Sequence, residues 1–275
     1  MANETPYLDL IQYILQTGKD RDTRSGAVLS IFGHTLEFDL QRGFPLLTTK
    51  RMAFRSICSE LRWFLRGSTD VKELHEHNNH IWDGNTRDRG FDAGPIYGFQ
   101  WRHFGAEYTD CHADYSGKGV DQIQHVIDLI KTNPTSRRIF LSGWNPAMQS
   151  QMALPPCHVS YQFYVDDNLL HCHMYQRSSD VFLGLPFNIA STALLTHLIA
   201  HETDLGVGRV RISIGDAHLY KDHVDQAVLQ LSRTPHAFPS LNIHREKDGL
   251  WDVKLGEIKL ENYTYHPKIA AKMAV

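Results

Sequence analysis

Long apolar runs are missing from this 275-residue chain, and none approaches the ~18 residues that a membrane helix needs. Cysteine is sparse: Cys58, Cys111, Cys157 and Cys172 form no CxxC pair and are too few for a disulfide framework, so a reducing, cytoplasmic setting is expected. No charge sign dominates. Twenty-eight Lys and Arg against 31 Asp and Glu leave −3, so there is no global basic field of the kind a groove-reading DNA binder uses. Phosphate recognition must then rest on local arginines. No GxGxxG is present, and Ser116-Gly117-Lys118-Gly119 is not a phosphate loop, because His112 stands where its first glycine belongs. The polar, acidic N-terminus lacks the basic start of a secretion signal. Repeats and low-complexity linkers are absent too, so one domain over 1–275 is expected.

What is present is ordinary globular composition, 42% hydrophobic and 21% charged. Thr5-Pro6 followed by Leu8, Ile11, Ile14 and Leu15 predicts a helix stopped by Gly18. Residues 28–40 alternate loosely and read as strand, turn, strand, with the break at Gly33. Phe54, Ile57, Cys58, Leu61, Phe64 and Leu65 have helical spacing ended by Gly67. Residues 70–118 are polar, aromatic and loop-rich, which in a compact domain is usually functional. Val120, Ile123, Val126, Ile127 and Ile130 predict a helix stopped at Asn133-Pro134. Strands are expected at 139–144, 159–165, 169–175 and 210–214, with a helix at about 188–203 between the last two. Helices and strands without regular alternation indicate an α+β, or mixed, class.

Five clusters carry possible chemistry. In Pro155-Pro156-Cys157-His158 two prolines stiffen the approach to a thiol, which reads as a nucleophile or as a buried structural cysteine. Gln176-Arg177-Ser178-Ser179-Asp180 suits a phosphate and ring N–H groups, or is a solvated loop. Arg137-Arg138 is an exposed basic pair unless one arginine bends round to share a phosphate. His218 and Tyr220 share one strand face and so reach one ligand hydroxyl, or are a satisfied strand end. His75, His77 and His80 have no strong zinc-ligand spacing, nor do His171 and His173, so no metal is expected.

Ordered motifs along almost the whole chain resemble the thymidylate synthase family. They include Phe44-Pro45-Leu46-Leu47-Thr48-Thr49-Lys50-Arg51, Glu60 within Glu-Leu-x-Trp-Phe-x-x-Gly-Ser-Thr, and Ile81-Trp82-Asp83. Gly94 to Arg102, Arg137-Arg138, Leu154 to His158, Tyr175 to Ser178, Pro186 to Ala190, Gly215 to Tyr220 and Met273-Ala274-Val275 continue the match. The resemblance implies a single α+β domain on a large mixed sheet, one face of which makes a homodimer. It implies methylation of dUMP by 5,10-methylenetetrahydrofolate, giving dTMP and dihydrofolate.

By the same resemblance, the Cys157 thiolate adds to uracil C6 and Glu60 runs proton transfers through water. Tyr97 assists removal of the C5 proton, and Asn188 faces N3 and O4, selecting uracil over cytosine. Arg24, Arg177 and Ser178 bind the phosphate, joined by Arg137 and Arg138 from the partner subunit. His218 and Tyr220 hold the ribose 3′-hydroxyl. Lys50, Ile81, Trp82, Asp180, Gly184 and Val275 line the folate site.

The sequence departs from the family pattern in places. The loop Arg24-Ser25-Gly26-Ala27-Val28-Leu29-Ser30 is one residue short, Asp222 replaces an asparagine, Tyr265 a proline and Thr192 a tyrosine. Two other readings compete: a dUMP hydroxymethyltransferase, which adds water in place of hydride, and a non-catalytic nucleotide- or RNA-binding regulator. A secondary RNA contact is also compatible with the sequence.

Overall fold

The computed structural model describes residues 4–273. Pro6 starts helix α1 (Thr5–Thr17), where its missing N–H costs nothing, and the helix buries Tyr7, Leu10, Ile11 and Ile14. Strands β1 (Lys19–Thr23) and β2 (Gly26–Asp39) are joined by the two-residue turn Arg24-Ser25. The expected break at Gly33 is a correction: β2 runs unbroken through it. Gly33 has φ +80°, a left-handed conformation that bends the strand while pairing resumes on both sides, Phe32 with Asp216 and His34 with Ile214.

Helix α2 (Phe54–Leu65) ends at Gly67 as expected. The loop-rich stretch holds three short helices, α3 (Lys72–His75), α4 (Asp83–Thr86) and α5 (Tyr97–His103). Helix α6 (Gln122–Thr132) excludes Val120, a second correction. The Asp121 carboxylate caps the helix by accepting from Gln124 N–H at 3.0 Å, and Val120 stays exposed in a bridge to Phe104. The run at 139–144 yields only β3 (Phe140–Ser142). Then come β4 (His158–Asp166), β5 (Leu169–Asp180), α7 (Gly184–Glu202), β6 (Gly206–Tyr220), α8 (Val224–Leu231), β7 (Ser240–Ile243) and β8 (Ile258–Glu261).

The main sheet has the order β1-β2-β6-β5-β4-β3; only β5 and β6 are parallel, and β7-β8 form a separate pair. A parallel pair needs a long crossover, and α7 supplies it. α7 is apolar around most of its circumference and buried accordingly. No helix among the described residues is long and apolar enough to cross a membrane.

The other sheet face is open. Glu37, Arg211, His173, Gln162 and Phe140 form one cross-strand row, and Thr35, Ser213, Tyr175, Ser160 and Ser142 the next. The class is mixed α+β, as the interleaved elements indicate. Strand polarity then gathers the candidate residues. The start of β4, the ends of β5 and β6 and the β1–β2 turn share one edge, with His158 opposite Gln176, Asp180 opposite His218, and Val28 opposite Tyr220.

Candidate active site

Cys157 ends the rigid Pro155-Pro156 approach immediately before β4. Its backbone N–H donates to the Tyr97 hydroxyl at 2.7 Å, and its carbonyl accepts from Arg177 N–H at 2.9 Å. The Arg177 side chain clamps the same turn, giving Nε–H to the Pro156 carbonyl and Nη2–H to the Pro155 carbonyl, both at 2.8 Å. Burial pushes the Cys157 thiol up, while the Arg177 charge and the Tyr97 hydroxyl pull it down. Cys58 and Cys172 have no cation to offset burial, which drives both to about 12 although the Thr196 hydroxyl pulls Cys172 slightly down. The four cysteines are free thiols, and only Cys157 lies beside a cation that favours its thiolate.

Glu60, on α2, lies close to Tyr97. Its Oε1 accepts from the Trp82 indole N–H at 2.8 Å, and burial raises its carboxyl to about 7. A carboxyl at that value moves protons in both directions at neutral pH. Helix α5 brings Tyr97 to it through a close crossing on α2. A Cβ on Gly98 would lie 2.8 Å from the Phe64 carbonyl oxygen, so only glycine fits there. Tyr97 feels both Cys157 and Glu60, and burial raises its phenol well above the ordinary value. Trp63, Phe64, Trp82 and Tyr97 form one aromatic wall, with Phe64 and Tyr97 centroids 4.8 Å apart.

Asn188 lies in the first turns of α7, and Gln176 on β5 orients it. Gln176 Nε2–H donates to Asn188 Oδ1 at 2.8 Å and to the Ser178 carbonyl at 3.1 Å. The sequence placed Gln176 in a polar cluster without a task; only the tertiary contact reveals it as the group that sets the Asn188 amide. His158 is buried beside Tyr97, with Nδ1 bonded to the Tyr161 hydroxyl at 2.9 Å. Burial lowers it to about 4, so it is neutral at pH 7. Sequence reasoning gave it no role either, because adjacent residues on a strand point to opposite faces.

Asp180 ends β5, and its Oδ1 accepts from Phe182 N–H and Leu183 N–H, shaping the entry to α7 at Gly184. His218 Nδ1 meets Asp216 Oδ1 at 3.1 Å, and its ring stands edge-on to Tyr220 with centroids 5.4 Å apart. Arg24 sits at the tip of the β1–β2 turn, and Tyr220 feels the charges of Arg24, Asp180 and Cys157, which ties the turn to the site. Arg21, nearby, is committed to Asp216 at 2.7 Å. Ser178 is half-buried opposite Asp216, and Ile81 is half-buried beside Trp82.

Some expected members stand apart. Arg137 and Arg138 are exposed before β3, and among the described residues their guanidinium groups pair with nothing. The Lys50 ammonium is buried, donates to the Phe182 carbonyl and sits 3.7 Å over the Phe182 ring; burial lowers it to about 7. Next to it, a solvent-facing cleft of about 470 Å³ is lined by Arg51, Arg55, Lys268, Tyr263 and Tyr265. Tyr265 packs there against Tyr263 and under Arg51. Val275 lies outside the described residues. Thr192 is buried in α7 and Asp222 sits in a short turn after β6.

The geometry therefore assembles a thiol, an adjustable carboxyl, an oriented amide and a phosphate-type guanidinium at one sheet edge. A family model described as thymidylate synthase covers residues 5–275. The chain is 50% identical to human thymidylate synthase, over 99% of this chain and 91% of that protein. It is 49% identical to the thymidylate synthase of Herpesvirus ateles, over 99% of this chain and 98% of that protein. It is also 50% identical to the bifunctional dihydrofolate reductase-thymidylate synthase of Zea mays, of which it spans 54%.

Proposed function

The chain belongs to the thymidylate synthase family, and from that premise we propose that the residues around Cys157 carry out the family's reaction. The enzyme methylates dUMP with a folate co-substrate. In our reading this co-substrate is 5,10-methylenetetrahydrofolate, which supplies both the carbon and the hydride and leaves as dihydrofolate. The observation that carries the assignment of roles is the meeting of Cys157, Arg177 and Tyr97 at one turn, with Glu60 close to Tyr97.

Uracil C5 is a poor nucleophile until C6 is attacked. Cys157 Sγ forms the bond to C6, and the C5–C6 π pair moves toward C5 and O4. Asn188 matches uracil as a donor to O4 and an acceptor from N3–H, and Gln176 holds the amide in that sense. Glu60, near 7, passes protons by way of water, and Tyr97 assists removal of the C5 proton as a neutral phenol, handing its own hydroxyl proton to water as it accepts another. Trp82, fixed to Glu60, walls the folate side together with Ile81, Asp180 and Gly184 and limits water entry. His218 and Tyr220 meet the ribose, while Arg24, Arg177 and Ser178 meet the phosphate. For the anionic tail of the folate, the Arg51–Arg55–Lys268 cleft offers three cations at the surface, next to buried Lys50.

A homodimer through the open sheet face completes this reading. Burial outweighs the Arg177 charge at Cys157, and among the described residues the Arg137 and Arg138 side chains have no partner. Donation of both to a second copy's phosphate answers both points, with 1–275 acting as one domain.

The test is to mix the protein with dUMP and 5,10-methylenetetrahydrofolate, follow dihydrofolate absorbance and weigh the nucleotide. Stoichiometric dTMP and dihydrofolate, abolished in Cys157→Ala, are expected. Hydroxymethyl-dUMP with tetrahydrofolate would overturn the hydride step.

A further inference from the structure

The segment between α3 and α4 carries a feature that the reaction does not use. The histidine spacing singled out His75, His77 and His80, but the fold regroups them. His77 turns to Arg62, 3.4 Å from Nη1, and Asp83 takes its place. Asp83 Oδ1 lies 2.7 Å from His75 Nε2, and Asp83 Oδ2 lies 3.1 Å from His80 Nδ1. One ligand atom from each of the three falls within 4.8 Å of the others. We propose that His75, His80 and Asp83 form a binding site for a divalent transition metal of the zinc class, on the outer flank of the Trp82 wall.

Three arguments support the site. The first is chemical: two imidazoles and a carboxylate are a ligand set that zinc accepts, with a water in the fourth position. The second is metric. Ligand atoms about 2.0–2.1 Å from a tetrahedral zinc lie roughly 3.3 Å from one another, so small side-chain shifts convert the present contacts into a coordination shell. Each imidazole would bind as the neutral ring, with its lone pair on the nitrogen that now faces Asp83 and its proton on the outer nitrogen.

The third is that the loop is built. Buried Asn79 donates to the Ser56 carbonyl and to Ser59 Oγ on α2, while its Oδ1 accepts from Ile81 N–H. Asn78, at φ +54°, reverses the chain, so the His80 ring stacks on that of His75 at 4.7 Å. The Phe91 ring backs His75 edge-on at 5.2 Å. Side-chain exposures of 28% for His75, 19% for Asp83 and 55% for His80 leave an entry path on the His80 side. Asp83 directly follows Trp82, so a bound metal fixes the backbone next to the indole that holds Glu60. That link to catalysis rests on the proposed roles of Trp82 and Glu60; the binding itself does not.

The experiment titrates the full-length protein with Zn(II) against a chromophoric chelator and records the spectrum of the Co(II)-loaded protein. One equivalent is expected, weakened tenfold or more in both His80→Ala and His75→Ala. The Co(II) spectrum is expected to lack a thiolate-to-metal charge-transfer band, which separates this site from Cys157 and from the neighbouring Asp70–Cys111–His112 group. His80→Lys is the second variant if the alanine protein folds poorly. Unchanged Zn(II) affinity in the folded variants, or a thiolate band at one equivalent, overturns the proposal. With chelator present, His80→Ala turns over dUMP like the parent. A zinc-dependent change in folate KM that persists in His80→Ala overturns the link to Trp82.

Discussion

Two glutamates, Glu4 fully buried and Glu60 half-buried, show how the same side chain meets two different surroundings. Glu4, at the start of α1, is surrounded by donors: the backbone N–H and hydroxyl of Thr48 on Oε2, and those of Thr49 on Oε1. Gln230 and Arg233 then bind Thr49, locking the N-terminal helix to the Thr48–Thr49 segment and α8. Glu60 is half-buried and receives one donor, the Trp82 indole, and desolvation raises its carboxyl to about 7. Burial alone does not make a catalytic carboxyl. The number of donors around a carboxylate decides whether it is held ionised as glue or, as we propose for Glu60, left free to exchange a proton.

The sharpest way to break this contrast is to remove each carboxylate and compare. Glu60→Gln is expected to lower kcat on the order of 10²- to 10⁴-fold while leaving the urea midpoint at pH 7 unchanged or raised. Glu4→Ala leaves four donors stranded and is expected to cost about 3 kcal/mol of stability, with kcat per folded molecule intact. Equal losses of kcat in the two variants would erase the distinction.

The pH dependence sharpens it further. Native Glu60 keeps its proton to about 7 against 4.5 for the unfolded chain. Its contribution to stability is therefore full below about pH 4.5 and is lost as pH rises through 7. A shift from 4.5 to about 7 corresponds to about 3 kcal/mol. Urea midpoints across this window are expected to flatten in Glu60→Gln relative to the parent protein, and an identical slope in both would refute the assignment.

Smaller effects test the frame around the two carboxyls. Gln176→Leu frees the Asn188 amide to turn, so the KM for dUMP is expected to rise about tenfold and the preference for dUMP over dCMP to fall. Steady-state assays on both nucleotides check this, and an unchanged preference would remove Gln176 from the site. Gly33→Ala forces a side chain onto φ +80° with open space around it, and about 1 kcal/mol of lost stability, without loss of kcat, is the expected result of its urea titration.

Much of this was legible before any coordinates. Helical spacing located α1 and α2, which bury one consistent face, and apolar runs located β4 to β6 with a helix between the last two, α7, which is buried around most of its circumference. Cys157 was visible because two prolines precede it. Its rank among four cysteines was not, since the Arg177 charge that distinguishes it comes from 20 residues away. Gly33 read as a break because sequence shows a missing side chain and not the pairing that resumes beyond it. Val120 was drawn into a helix by its apolar character, although the cap at Asp121 decides where helical hydrogen bonding starts. Gln176 escaped because it acts on Asn188, a residue that local periodicity does not connect to it.

The bond between the Trp82 indole and Glu60 also gives the protein an optical handle. An indole N–H that faces a carboxylate in one protonation state and a neutral acid in the other sits in two different electric fields, and its near-ultraviolet absorption and emission follow. Trp82 thus works as a built-in indicator dye for the proton on Glu60, readable without label or substrate, by comparing the spectra of the parent protein and Glu60→Gln across neutral pH.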